Sequence, residues 1–420
     1  MRKSPSVVSR AGLAFLAGLC LCLAGCAATG GSSGMGYYWQ SLRGQVQLLQ
    51  ASRPIADWLQ DEQLPASLRQ RLQEVQRMRA FASSALGLPD NASYHRYADL
   101  GRPFAVWNVV AAPPDSLELR SWCFPIAGCV GYRGYFDEAD ARRQAGLLAG
   151  QGLESSVYGV PAYSTLGYLN WLGGDPLLNT FIDWNEAELA GLLFHELAHQ
   201  VVYLAGDTAF NESFATAVER LGTGQWLAAE ASAQARARWE AGQTRRAQWR
   251  ALTSHTRQAL QQLYQSRSRE PAGAAPLEPA KAAIYGKFRS DYAALRDQWQ
   301  AQDAPLLATE AQRQRHAAQQ ARMDQWVAQA NNASFGAMAA YDDWVGAFTA
   351  LWHEVQRSAD GSDTQAWPRF YSAVREWAAL PAPQRTARLC AYMPADAPLP
   401  PGCATGQEPT AQGALQMGSR

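Results

Sequence analysis

GLLFHELAHQVVYLAGDTAFNESFATAVERLG, residues 191–222, decides how the rest of the chain is read. Two histidines, His195 and His199, stand four apart, with Glu196 directly after the first. On an α-helix, positions four apart share a face about one turn apart, so both imidazoles can aim at a single point. Zinc suits imidazole nitrogen, and a catalytic zinc keeps three protein ligands and one open position for water. Glu196 sits about a hundred degrees round from His195, beside such an ion but not on it, where a base can take a proton from water. The competing reading is a histidine pair on the edge of a buried helix, with Glu196 merely solvated. With six histidines in 420 residues, the spacing is seldom met by chance.

The flanking pattern supports the metal reading. EAELAGLLFHELAHQVVYLAG (186–206) is apolar nearly all round, so it predicts a buried helix, in which unpaired polar groups are costly. Gly206 can end that helix in the left-handed conformation, Asp207 or Asn211 can cap the next, and Gly222 can close it. The second helix offers Glu212 and Glu219, seven apart and on one face, so one can ligate zinc while the other supports a ligand. Twelve residues separate His199 from Glu212 and nineteen separate it from Glu219.

NESFATAVERLG resembles the second zinc helix of the aminopeptidase N type of metallopeptidase, which runs Asn-Glu-Gly-Phe-Ala and carries another glutamate seven residues on. That resemblance implies Glu212 as the third ligand, with Glu219 supporting a ligand imidazole, although the connection is shorter than in that family and spacing alone would choose Glu219. A Gly-x-Met-x-Asn segment, by which aminopeptidase N holds a free amino terminus, does not precede His195. More broadly, the chain resembles a family of bacterial envelope proteins described as predicted aminopeptidases, through AYSTLG before the zinc helix, H-E-L-A-H, a later N-N-A segment and a lipobox-like leader. What this implies is a zinc peptidase with Glu196 as general base, His195, His199 and Glu212 as metal ligands, and a peptide as substrate. A retained zinc-binding fold without turnover, or a peptidase directed at cell-wall peptides, is the alternative.

In zincins a strand beside the cleft commonly pairs with the extended substrate. Tyr163, Ser164 and Thr165 are the candidates for that role, against an ordinary core strand. Asn331 and Asn332 offer substrate hydrogen bonds or a plain helix cap. Tyr285, Tyr292 and Tyr341 are tyrosines on later helical stretches from which an oxyanion donor could come. His95, His255, His316 and His353 have no partner at metal-ligand spacing and read as structural or exposed.

At the other end of the chain, MRKSPSVVSR and the apolar run AGLAFLAGLCLCLAGC read as an export signal, too short for a spanning helix of roughly 20 residues. Its close, Leu23-Ala24-Gly25-Cys26, resembles the bacterial lipobox, which implies lipidation of Cys26 and removal of residues 1–25. Ala27 in place of aspartate favours the outer membrane, facing the periplasm. Beyond Cys26 the mature chain holds Cys123, Cys129, Cys390 and Cys403. In an oxidising compartment the sequence-local pairs, Cys123 with Cys129 and Cys390 with Cys403, are the simplest of three arrangements.

Acidic and basic residues balance at 37 each, which leaves no basic field for a nucleic acid, and 47% hydrophobic residues suit a sizeable core. The expected fold is mainly α with a small β-sheet (α+β), a zincin-like core with helical N- and C-terminal parts. The boundaries run as a tether (26–36), an N-terminal helical region (37–100), the catalytic core (101–225), a helical region completing the cleft (226–392) and a disordered tail (393–420). Strands are expected within 102–113, 121–136 and 157–170, where aromatic and β-branched residues alternate with Pro and Gly.

Overall fold

A computed structural model of the protein describes residues 34–124, 128–162, 164–165, 173–231, 233–267, 276–359, 361–395, 400 and 403. It is mainly α with small sheets of two and three strands. The chain divides into two units, Met1–Ala51 and Ser52–Arg420. In the first, the described residues form one helix, α1 (Gly34–Ala51). It takes in residues 34–36 of the expected tether.

The second unit opens with a short strand, β1 (Arg53–Pro54), followed by α2 (Ile55–Leu59) and α3 (Ala66–Ser84). The helical pattern read across residues 37–60 is thus interrupted, because Pro54 lacks an N–H and forces Arg53 towards extended backbone. β1 pairs antiparallel with β2 (Arg96–Ala98), which pairs parallel with β8 (Leu177–Leu178), Tyr97 opposite Leu177.

The main sheet has the order β6 (Arg133–Tyr135), β3 (Val106–Ala112), β7 (Glu154–Val160), with both ladders antiparallel. Val106 faces Val160 and Ala112 faces Glu154, while Trp107 faces Tyr135. Every residue of β3 is buried, as a near-continuous apolar run requires when both faces of a strand are covered. The expected strand over 157–170 starts earlier and stops at Val160, since Pro161 cannot continue the ladder. Between β6 and β7 lies α4 (Glu138–Ala149), a helix absent from the pattern reading, whose N-terminus the Asp137 carboxylate caps by accepting from Ala139 N and Asp140 N. It packs on the sheet together with α10 (Asn332–Asp342). β4 (Trp122–Phe124) and β5 (Gly128–Val130) form a hairpin with Cys123 opposite Cys129, and the two are disulfide-bonded. The second disulfide joins Cys390 to Cys403, so both sequence-local pairs form.

At the centre lie α5 (Glu186–His199) and α6 (Thr208–Ala229), packed along one another. Asn185 caps α5 by accepting from Glu188 N, and Glu186 and Glu188 place negative charge in its positive first turn. Leu189, Leu193, Phe194 and Leu197 are wholly buried. The expected end at Gly206 is corrected: α5 stops at His199 with Gln200 as its cap, and Gly206 takes its left-handed conformation (φ 85°) inside the connecting loop. The reason is Asn211, whose side-chain amide accepts from Leu204 N and donates to Leu204 O, satisfying loop backbone that a longer helix would have paired itself. Asp207 is the cap of α6, accepting from Phe210 N.

The expected stop of α6 at Gly222 is also corrected. The helix runs on to Ala229, because Gly222 serves close packing: a Cβ there would lie 2.7 Å from Leu86 and 3.1 Å from Phe194. Phe210 and Phe214 carry α6 into an aromatic cluster with Phe348 and Phe370, from α11 (Val345–Ser358) and α12 (Asp363–Ala379). The long α7 (Ala233–Arg267), α8 (Leu277–Asp303) and α9 (Glu310–Gln329) share a second cluster around Leu260, Phe288 and Phe335. The chain closes with α13 (Ala382–Tyr392). Among the described residues no helix is long and apolar enough to cross a membrane.

Candidate metal centre

His195 and His199 project from the last turn and a half of α5 towards α6, where Glu212 occupies the first turn and a half. Glu212 Oε2 lies 3.3 Å from His195 Nε2 and 3.7 Å from His199 Nε2. The ligand atoms of these three residues all fall within 4.8 Å of one another, and among the described residues they are the group of histidine, cysteine and acidic side chains that converges in this way. On the far side of the same imidazole, His195 Nδ1 meets Glu219 Oε2 at 3.1 Å. The two glutamates seven apart on α6 therefore reach the two nitrogens of one histidine. Close approach of the helices makes this possible at Gly191, where a Cβ would lie 3.0 Å from Thr223 Oγ1 and 3.2 Å from Glu219 Cγ.

The donor chemistry fits a divalent metal. With Nδ1–H of His195 given to Glu219, its Nε2 carries a lone pair, and it faces a carboxylate and a second imidazole nitrogen. Three acceptors packed together in a buried place repel unless a cation lies between them. A proton can fill that role, and the ionisation of the group reflects it. Burial by itself would lower the His195 pKa, but hydrogen bonds to Glu212 and Glu219 outweigh it and hold the pKa well above its ordinary value. Burial would raise the Glu212 carboxyl, yet the two imidazoles pull it far below the usual carboxylate range. Two imidazoles and one carboxylate are also a ligand set of catalytic zinc. The fit is incomplete in one respect: His199 Nδ1 is buried without a hydrogen-bond partner.

Glu196 belongs to the same electrostatic neighbourhood. Burial pushes its carboxyl up, Glu212 and Asp175 push the same way, and the two imidazoles oppose them. Two tyrosines that no sequence pattern singles out are near enough to feel these acids. Tyr132, between β5 and β6, has its hydroxyl pushed well up by burial, then by Glu212, with Glu196 contributing less. Tyr94 is pushed up by burial, then by Glu196 and Asp175. Neither stands at a motif spacing, and both fall in stretches whose aromatic content reads simply as core.

Of the proposed substrate strand, Tyr163 lies outside the described residues. Ser164 and Thr165 turn to Asp175: Thr165 N and Oγ1 donate to its carboxylate at 3.0 and 2.7 Å, and Ser164 Oγ donates at 3.4 Å. Asp175 is 2% exposed, and burial raises its pKa against these hydrogen bonds. Asn331 receives Ser334 N on its side chain and donates Nδ2 to Ser155 O, capping α10 and tying it to β7. Asn332 is wholly buried, its Nδ2 given to Pro113 O and Ser116 O and its Oδ1 receiving Tyr264 and Tyr285. With its amide fully used in joining helices to the strand region, Asn332 has none left for a substrate. Tyr285 is spent on Asn332 and Tyr292 on Asp324. The side chain of Tyr341 is not among those described, and Cys26 also lies outside the described residues.

The fold and this cluster define a class: a mainly helical protein with a candidate metal centre built from an H-E-x-x-H helix and a glutamate of the next helix. The chain belongs to the protein family described as "Putative aminopeptidase", whose profile matches residues 36–389. Comparison with curated proteins and with solved structures gave no match.

Proposed function

We propose that the protein is a zinc-dependent peptidase that releases residues from the amino end of peptides. The observation that carries this is the convergence of His195, His199 and Glu212 beside Glu196, in a chain of an aminopeptidase-like family. Those three residues would hold the ion, which when bound supplies Lewis-acid polarisation of the peptide carbonyl and lowers the pKa of a water molecule. Glu196 accepts the proton of the attacking water and delivers it to the departing amine. Its partly buried setting suits both duties, because a raised carboxyl pKa narrows the gap between taking a proton and giving it back. Glu219 fixes the tautomer and orientation of the His195 ring through Nδ1.

The test is a side-by-side screen of peptides and arylamides with a free amino terminus, blocked peptides and cell-wall peptides, using zinc-loaded protein. Cleavage of the free-amino substrates alone, abolished by a chelator and restored by zinc, is the expected result. Cleavage confined to blocked or cell-wall peptides would replace the aminopeptidase reading, and no cleavage at all would leave a zinc-binding envelope protein. Glu219→Gln is expected to weaken zinc binding by roughly 10- to 100-fold, the usual cost of losing a supporting partner, while zinc-saturated protein keeps activity. Competition with a zinc-responsive dye measures this, and an unchanged affinity would remove Glu219 from the site.

The leader adds a location to this reading: a lipid on Cys26 would tether the enzyme to the bacterial outer membrane, facing the periplasm. Cys26→Ser should then move the protein from the membrane to the soluble fraction. Retention in the membrane would refute the anchor.

A further inference from the structure

Of the six large apolar side chains that stand open to solvent among the described residues, four are on α1: Tyr38, Trp39, Leu42 and Val46. They are not scattered round it. At about 100° per residue and with Tyr38 as origin, Leu42 falls at about 40°, Val46 at about 80° and Trp39 at about 100°. The four make one stripe, about 12 Å long at a rise of about 1.5 Å per residue. Trp39 is 68% exposed and Leu42 57%. Another side of α1, with Gly44 and Leu48, is already buried, so the stripe is a second apolar face. A contiguous apolar patch left in water marks a surface that something covers.

The place of α1 in the chain, its charge and its aromatic content choose lipid as the cover. Gly34 stands eight residues after Cys26, the proposed lipid site, and the seven residues between reach at most about 25 Å when fully extended. An acyl chain on Cys26 therefore keeps the start of α1 close to the bilayer. No acidic residue occurs between Cys26 and Ala56, and the one charge on α1 is Arg43, exposed at the margin of the stripe, where a lipid phosphate can meet it. Tryptophan and tyrosine favour the boundary between acyl chains and headgroups, and Tyr38 and Trp39 stand at the end of the helix nearer the anchor. A second protein surface is the poorer match, because a stable interface takes roughly 800 Å² from each partner, more than four side chains offer.

We propose that α1 lies flat in the headgroup region of the membrane, with Tyr38, Trp39, Leu42 and Val46 turned into lipid, as a second membrane contact beside the acyl chain on Cys26. This rests on the anchored location above and is independent of the peptidase chemistry. The stripe is too small to hold the protein by itself. Without the acyl chain it gives weak, reversible contact, since stable attachment takes two signals, and Cys26→Ser protein still belongs in the soluble fraction.

The test places an environment-sensitive fluorophore on a thiol introduced as Leu42→Cys, within the stripe, or as Gln47→Cys, on the exposed polar side of the same helix. With Cys26 acylated and the other four mature cysteines in disulfides, the new thiol is the one that reacts. Lipidated protein is reconstituted in vesicles of phosphatidylethanolamine and phosphatidylglycerol. The label at 42 should emit to the blue and be quenched by a quencher carried on the lipid, while the label at 47 keeps its aqueous emission. Aqueous emission from both would overturn the proposal and leave the anchor standing. A blue shift at 42 in lipid-free Cys26→Ser protein would overturn it too, because the face would then be covered by the chain itself or by a second copy. Mass analysis of Cys26 separates the two claims. If Cys26 carries no lipid, the anchor falls, and Cys26→Ser protein added to the same vesicles decides α1 alone: weak binding that drops by roughly tenfold or more in Trp39→Ser/Leu42→Ser supports the stripe, and no binding, or binding equal in the two proteins, sinks it.

Discussion

Glu196→Gln is expected to lower kcat by about 10²- to 10⁴-fold, the range a positioned general base contributes, while the protein keeps its zinc. The two halves of that result belong together. Glutamine has the shape of glutamate but cannot take a proton, and Glu196 is no member of the converging ligand group, so removing its charge leaves the three donors in place. A parallel loss of metal would mean that Glu196 ligates or supports the ion. A kcat within a few-fold of the natural protein would mean that some other group is the base. Metal analysis and steady-state kinetics on one preparation separate these outcomes.

Glu212→Ala is expected to abolish both zinc binding and activity, a larger effect than the roughly 10- to 100-fold loss of affinity expected at Glu219. Glu212 Oε2 is the oxygen that meets both Nε2 atoms, whereas Glu219 meets only the outer nitrogen of His195. Deleting Glu212 leaves two imidazoles that cannot complete a three-ligand site. Added zinc should raise the melting temperature of the natural protein, because a ligand that binds only the folded state stabilises it by mass action. It should leave that of Glu212→Ala unmoved. Equal metal affinity in the two proteins, or a larger loss in the Glu219 variant, would exchange the roles of the two glutamates.

The candidate site was legible wherever helical periodicity governs. The four-residue spacing of His195 and His199 and the seven-residue spacing of Glu212 and Glu219 are statements about faces of helices, and in the structure those faces meet. The ends of the same helices were not legible. α5 stops at His199 because an asparagine in the following helix clamps Leu204, and α6 passes through Gly222 because Leu86 and Phe194 need the room. Both causes lie in packing between segments, which a local pattern does not carry. The mainly helical fold with small sheets followed from composition and turn residues, but strand limits depended on single features such as Pro161. Tyr94 and Asp175 were invisible for a related reason. The loop that carries Tyr94 docks on Gln200 from about a hundred residues earlier in the chain, Asp175 meets that loop by accepting from Tyr94 N, and the positive φ of Tyr94 exists only once the chain is folded.

Diffraction from zinc-loaded crystals at wavelengths on either side of the zinc absorption edge tests the central claim most directly. One anomalous peak is expected, bonded to His195 Nε2, His199 Nε2 and a Glu212 oxygen at about 2.0–2.2 Å. A peak on other side chains, or no peak between these three residues, would contradict it.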